Sequence, residues 1–182
     1  TGEFPYNEST DRLTYTKTIT SYTGDESWKN GDYIISADSI ATYGAKNPEQ
    51  VFNTKTTLDG MWWADSRDTP ITFPYYDYNG AQATITDSNN VNWLSFEMPY
   101  EVKITQVTTN SIWARPKYIY VMGVINGVTR LLGQGTAEGQ DHTFSVNTNE
   151  YTSKIFIVFK HNLDVEDHHR YVSVGSLSFE VQ

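Results

Sequence analysis

Apolar and polar residues alternate along this chain in short runs, and turn residues separate the runs. Residues 13–20, LTYTKTIT, alternate and are rich in Thr, which predicts a half-buried strand. Turn chemistry at 23–26 and at Lys29-Asn30-Gly31-Asp32 precedes a strand at 33–37, YIISA. Residues 48–52, PEQVF, predict one helical turn, the only helix expected. A short strand is expected at 69–73. Residues 75–90 read as loop, with pairing expected at most over 81–85. Residues 92–99 alternate strongly, 102–107 continue as the next strand, and 111–114 follow. Residues 118–124 and 129–133 answer each other across Asn126-Gly127, a hairpin turn because both positions accept positive φ. Residues 142–146 and 154–160 predict two more strands, the second central. A charged loop over 163–170 leads to one closing strand at 171–181.

Short strands at regular spacing predict an all-β protein, an antiparallel β-sandwich. A length of 182 residues suits one domain with a full-sized core. Residues 1–12, polar and containing Pro5, read as an N-terminal tail or linker, which leaves 13–182 as the domain. There is no internal repeat. No apolar run approaches the roughly 20 residues of a membrane span, so membrane insertion is not expected. The chain begins at Thr1 without Met and is expected to be part of a larger multidomain or multimeric protein.

Charge narrows the partners. Thirteen basic and 22 acidic residues give a net charge of −9. That balance argues against nucleic acid, whose phosphates need Lys and Arg clusters, and against anionic membranes. With no cysteine, disulfides and thiol chemistry are excluded. Aromatic residues make up 14%, and the 13 Tyr and 5 Trp outnumber the 8 Phe. Part of this is core and cross-strand pairing, and the excess of Tyr and Trp suits surfaces that meet polar ligands.

Two kinds of chemistry meet in residues 33–66. A strand ends in Ile35-Ser36-Ala37-Asp38-Ser39; Val51-Phe52-Asn53 and the pair Thr56-Thr57 follow. Trp62-Trp63-Ala64-Asp65-Ser66 closes the stretch. Further on stand Arg115-Pro116-Lys117 before a strand, 129–133 as TRLLG, and a closing segment with Leu177 and Glu180. In order and spacing these resemble the discoidin, or coagulation factor 5/8 type C, domains. That family includes many galactose-binding-like carbohydrate-binding modules. The resemblance covers about residues 13–182 and implies a discoidin-like jelly roll of about eight strands. Asn53 stands where the family has Asp, Thr54 where it has Gly, and the loop to the Trp pair is longer.

The loop over 52–59 offers amide, hydroxyl and carboxylate oxygens, the donors that calcium prefers. In carbohydrate-binding relatives the equivalent loop, with a Glu on the last strand, often holds a structural calcium. The resemblance therefore implies a Ca2+ site at Phe52, Asn53, Thr57, Asp59 and Glu180. An Asx or Ser/Thr turn without metal is the plainer reading of the same residues.

A hexose presents a C–H face and a ring of hydroxyls. It calls for an aromatic platform and planar groups that bind two hydroxyls at once. The family places such groups in loops at one end of the sandwich. By position the candidates are Tyr43, Trp62, Trp63, Arg67, Trp113, Arg115, His168 and His169. Tyr43 stands near the place where galactose binders of the family carry a His. Successive strand residues face opposite ways, so at most one of Trp62 and Trp63 is expected in the core. The run at 164–169, DVEDHH, lacks zinc-like spacing and reads as a solvated loop.

No motif of a serine hydrolase, P-loop or zinc protease is present, and the strands carry few His, Arg or carboxylates mid-strand. No enzyme activity is expected. The resemblance implies a non-catalytic, lectin-like module that attaches to cell-surface glycan or polysaccharide, with an extracellular or virion-surface location. The alternative is a structural or receptor-binding assembly module of a viral or phage particle that contacts protein.

Overall fold

In the computed structural model the described residues are 2–4, 27–30, 33–39, 48, 51, 62–65, 72–87, 91–162 and 171–181. They contain fourteen strands. In chain order these are β1 (Gly2–Phe4), β2 (Ser27–Asn30), β3 (Tyr33–Ala37), β4 (Trp62–Asp65), β5 (Phe73–Tyr76), β6 (Gln82–Ile85) and β7 (Val91–Val102). Then come β8 (Ile104–Asn110), β9 (Pro116–Ile125), β10 (Val128–Thr136), β11 (Asp141–Ser145), β12 (Thr152–Asn162), β13 (Tyr171–Val174) and β14 (Ser176–Val181). One sheet has eight strands in the order β2-β3-β7-β12-β9-β10-β5-β6. A second has four, β1-β14-β8-β11, and β13 pairs with β4. Pairing is antiparallel except between β10 and β5, where Arg130 stands opposite Tyr76 in a parallel contact.

The all-β sandwich expected from the sequence is what forms, with more and shorter strands than eight. β12 lies between β7 and β9, as its apolar run predicted. Ile155, Ile157 and Phe159 enter the core that holds Trp62, Phe96, Ile104, Leu177 and Phe179. Phe96 of the large sheet and Phe179 of the small one meet edge to face, with ring centres 5.5 Å apart. Burying rings from both sheets in one layer is the main force holding the sandwich shut.

The alternate residues of β12 are not left to water. Val158 is buried in a second cluster with Phe73, Ile85, Val91, Met122 and Leu131, and Phe156 packs against it. The Phe73 and Phe156 rings lie 5.2 Å apart, although β9 and β10 separate their strands in the sheet. The β5–β6 hairpin therefore folds back over the outer face of the large sheet. Alternation along β10 sends Leu131 to this outer cluster and Leu132 to the inner one, next to a register shift between Leu131 and Gly133.

Several expectations are corrected. Within 75–90 the pairing expected over 81–85 forms as β6, and β5, which extends to Tyr76, turns into it through Asn79-Gly80, where Gly80 has φ +81°. The expected strand at 69–73 begins only at Phe73 among the described residues. Residues 171–181 are two strands, because at Gly175 the chain leaves β4 and joins β8. The segment 1–12 is not all tail. Gly2–Phe4 pairs with β14 and satisfies backbone groups on its open edge. Asn126 and Gly127 take φ +51° and +77°, as the hairpin requires. Pro48 and Val51 lie buried in a 3-10 turn, where one helical turn was expected. The strand expected at 13–20 and the charged loop at 163–170 fall outside the described residues.

Candidate functional site

Backbone pairing brings several chain ends to one pole of the sandwich. β12 ends at Asn162, opposite Pro116 at the start of β9. The N–H of Asp38, just past β3, reaches the carbonyl of Trp93 near the start of β7 at 3.2 Å. β13 begins with Tyr171 opposite Asp65, the last residue of β4. Ser173 donates its N–H to the carbonyl of Ala114 at 3.1 Å, which ties β13 to the turn between β8 and β9.

Local bonding shapes the turn at 111–115. The hydroxyl of buried Ser111 donates to the Ser173 carbonyl at 2.7 Å, and the two hydroxyls lie 3.2 Å apart. Trp113 accepts hydrogen bonds at its carbonyl from the Ser111 hydroxyl at 3.1 Å and from the Ser173 hydroxyl. Ala114, fully buried, takes φ +46°, a left-handed conformation costly for a side chain with Cβ. The strained turn holds Trp113 and Arg115 half-buried at the pole, and neither residue is without an interaction partner. Trp113 can offer an indole surface as a platform and Arg115 a planar guanidinium donor.

Trp62 is corrected as a ligand contact. It has no exposed surface, its ring centre lies 5.9 Å from that of Phe159, and its indole N–H donates to the Ser39 carbonyl at 3.2 Å. It is the core member of the Trp pair. Trp63 is on β4 opposite Ser173. Tyr43, Arg67, His168 and His169 lie outside the described residues, as do Phe52, Asn53, Thr57 and Asp59 of the expected calcium site. Glu180 is exposed on β14, in register with Gln106 of β8 and Glu3 of β1. Among the described residues no three His, Asp or Glu side chains gather as a metal cluster.

One acidic group at this pole was not singled out from the sequence. The Asn92 amide donates to Asp38 Oδ2 at 2.7 Å, whereas buried Oδ1 has no hydrogen-bond partner among the described residues. Burial pushes the carboxyl up to about 7, and the Asn92 amide and nearby backbone groups only partly offset it. A signal existed: Asp38 stands directly after an apolar strand end, where the discoidin pattern has an uncharged Ser.

No family profile and no curated protein matches this sequence. Solved structures do match. The family 32 carbohydrate-binding module of NanJ from Clostridium perfringens, solved with galactose, superposes with a TM-score of 0.56 at 14% identity. The match covers 83% of this chain and 94% of that one. The module CpGH89CBM32-5 from the same species, solved with GalNAc-β-1,3-galactose, gives 0.55 at 13% identity over 82% of this chain and 95% of its own. An allantoicase shares the fold at 0.53 and 10% identity, over 81% of this chain and 40% of its own. The fold is thus the β-sandwich of these family 32 modules, and the allantoicase structure contains it too. Among the described residues no helix is long and apolar enough to cross a membrane.

Proposed function

We propose that this chain is a non-catalytic carbohydrate-binding module. In this reading it attaches a larger protein to glycan or polysaccharide through the loop pole, at an extracellular or virion surface. The observation that carries the reading is the convergence of the ends of β3, β4 and β12 with the Trp113-Ala114-Arg115 turn. Structures of the same fold have been solved with galactose and with GalNAc-β-1,3-galactose, which supports the ligand class. Trp113 would supply the apolar platform and Arg115 paired hydrogen bonds to adjacent hydroxyls. Single-site affinity for a shallow pole is weak, and repetition in the parent protein raises it.

Calcium fits the donor set as a structural ion. Glu180 offers an exposed carboxylate, and Asn53, Thr57 and Asp59 are hard oxygen donors of the kind calcium takes. Those residues would hold the ion and fix the loop over 52–59. The ion would supply no reaction chemistry.

The test is a glycan array probed with a multimerised form of the chain, with calcium and with EDTA. Defined hits that vanish in Trp113→Ala or Arg115→Ala, with unfolding midpoints unchanged, support the reading. Silence from a folded multimer overturns it and favours an assembly module that contacts protein.

A further inference from the structure

The outer face of the large sheet carries a second set of aromatic and hydrogen-bonding side chains, on strands rather than loops. Tyr118 and Tyr120 of β9 stand in register with Thr136 and Gln134 of β10. These four line one cavity of about 390 Å³, within the usual range for small-molecule sites. Both tyrosines are half-buried, and Gln134 and Thr136 are exposed. On the other side of β9, β12 places Lys160 opposite Tyr118. The Lys160 Nζ lies 5.8 Å from the Tyr118 ring centre, and the Lys117 Nζ lies 5.3 Å from it.

Two ammonium groups thus converge on one phenol ring in a chain of net charge −9. Lys160 faces Val91 across the β7–β12 ladder. The carboxylate in register with a lysine there is Glu97, at Lys154. The hairpin adds Tyr75, which borders a neighbouring cavity of about 450 Å³. Burial, and then the nearby Tyr75 and Tyr118 phenols, push the Tyr120 hydroxyl above its ordinary value. The three phenols are therefore close neighbours, and burial pushes the Tyr75 hydroxyl above its ordinary value as well.

We propose that this face is a binding site for an acidic saccharide, one bearing a carboxylate such as a hexuronic acid. The carboxylate sits at Lys117 and Lys160, where charge-assisted hydrogen bonds are strongest. The sugar ring lies against Tyr120, and the Gln134 amide and Thr136 hydroxyl bond its hydroxyls, since an amide both donates and accepts. A nucleic acid fits less well, because its phosphates need a broad basic footprint that this acidic chain does not offer. The site lies on the sheet face bordering the loop pole, where β9 begins and β12 ends, and it uses neither Trp113 nor Arg115, so it does not depend on that reading.

The experiment is a titration of isotope-labelled protein with a galacturonic acid tetramer, followed by amide chemical shifts. A neutral galactose tetramer serves as control. The acidic tetramer is expected to shift Tyr118, Tyr120, Gln134 and Thr136 more than the neutral one, and added salt is expected to weaken it. The double variant K117Q/K160Q is expected to bind about tenfold more weakly with an unchanged unfolding midpoint, and Gln134→Ala to bind more weakly as well. Trp113→Ala is expected to leave this binding intact. Shifts confined to the turn at 111–115, equal binding by the double variant, or no binding at millimolar tetramer would each overturn the proposal.

Discussion

Trp62 on β4 donates its indole N–H to the carbonyl of Ser39, 3.2 Å away and just beyond the end of β3. The ring is wholly buried and tilted against Phe159 of β12. One side chain thus ties the two-stranded β4–β13 unit to the large sheet beneath the loop pole. Its contribution is to stability. Trp62→Phe keeps most of the ring but strands the carbonyl, and is expected to cost about 1–3 kcal/mol. Trp62→Ala is expected to cost about 3–5 kcal/mol. Chemical denaturation checks both. A Trp62→Ala protein of unchanged stability that has lost glycan binding would return this residue to the ligand surface.

Asp38 sets a pH dependence. Its folded-state pKa, about 7, lies above the ordinary 3.8, so the folded protein holds this proton more tightly than the unfolded chain. The sign follows from linkage: stability from this group is full below about pH 4 and declines as pH rises towards 7. Asp38→Asn mimics the protonated acid and keeps an oxygen for the Asn92 amide. It is expected to match the parent near pH 4 and to exceed it at pH 8 by up to about 4 kcal/mol. Urea denaturation at the two pH values measures the gap, and a variant less stable than the parent at pH 8 would contradict a buried, poorly solvated carboxyl.

Ala114 is held in the left-handed region by the Ser111, Trp113 and Ser173 bonds around it. Glycine relieves that strain but adds freedom to the unfolded chain, and the two effects largely offset each other. Ala114→Gly is expected to change stability by less than about 1 kcal/mol. Ala114→Val, with a branched side chain at a buried site of positive φ, is expected to cost at least about 2 kcal/mol. Thermal unfolding of the pair distinguishes strain at this turn from ordinary packing, which would spare Val.

For the proposed calcium site, an ion bound only to the folded state stabilises by mass action. EDTA is expected to lower the unfolding midpoint, and added calcium to restore it. Glu180→Gln should remove most of that response. An unchanged midpoint on chelation, with no metal by elemental analysis, excludes the site.

The candidate site was legible in part. Trp113 and Arg115, singled out from the sequence, lie in the turn between β8 and β9, at a pole where several strands end. Sequence placed Trp62 and Trp63 together as ligand candidates. Alternation allowed one to be core, but which one depended on the partner strand, and the Phe159 and Ser39 contacts assign that role to Trp62. The Ser111–Ser173 bond joins residues 62 positions apart, and no local pattern announces it.

For the fold, periodicity and turn residues by themselves determined an all-β chain, the Asn126-Gly127 hairpin and the central place of β12. These follow from local physics: side-chain alternation, φ preference, and the need to cover an unbroken apolar run. Only tertiary structure decided that the β5–β6 hairpin curls over the sheet to bury Val158 against Phe73 and Ile85. It alone split 171–181 at Gly175, and it left Asp38 with an oxygen unpaired among the described residues. Each of these depends on contacts between residues far apart in sequence, whose energies arise only once the sheets have closed on one another.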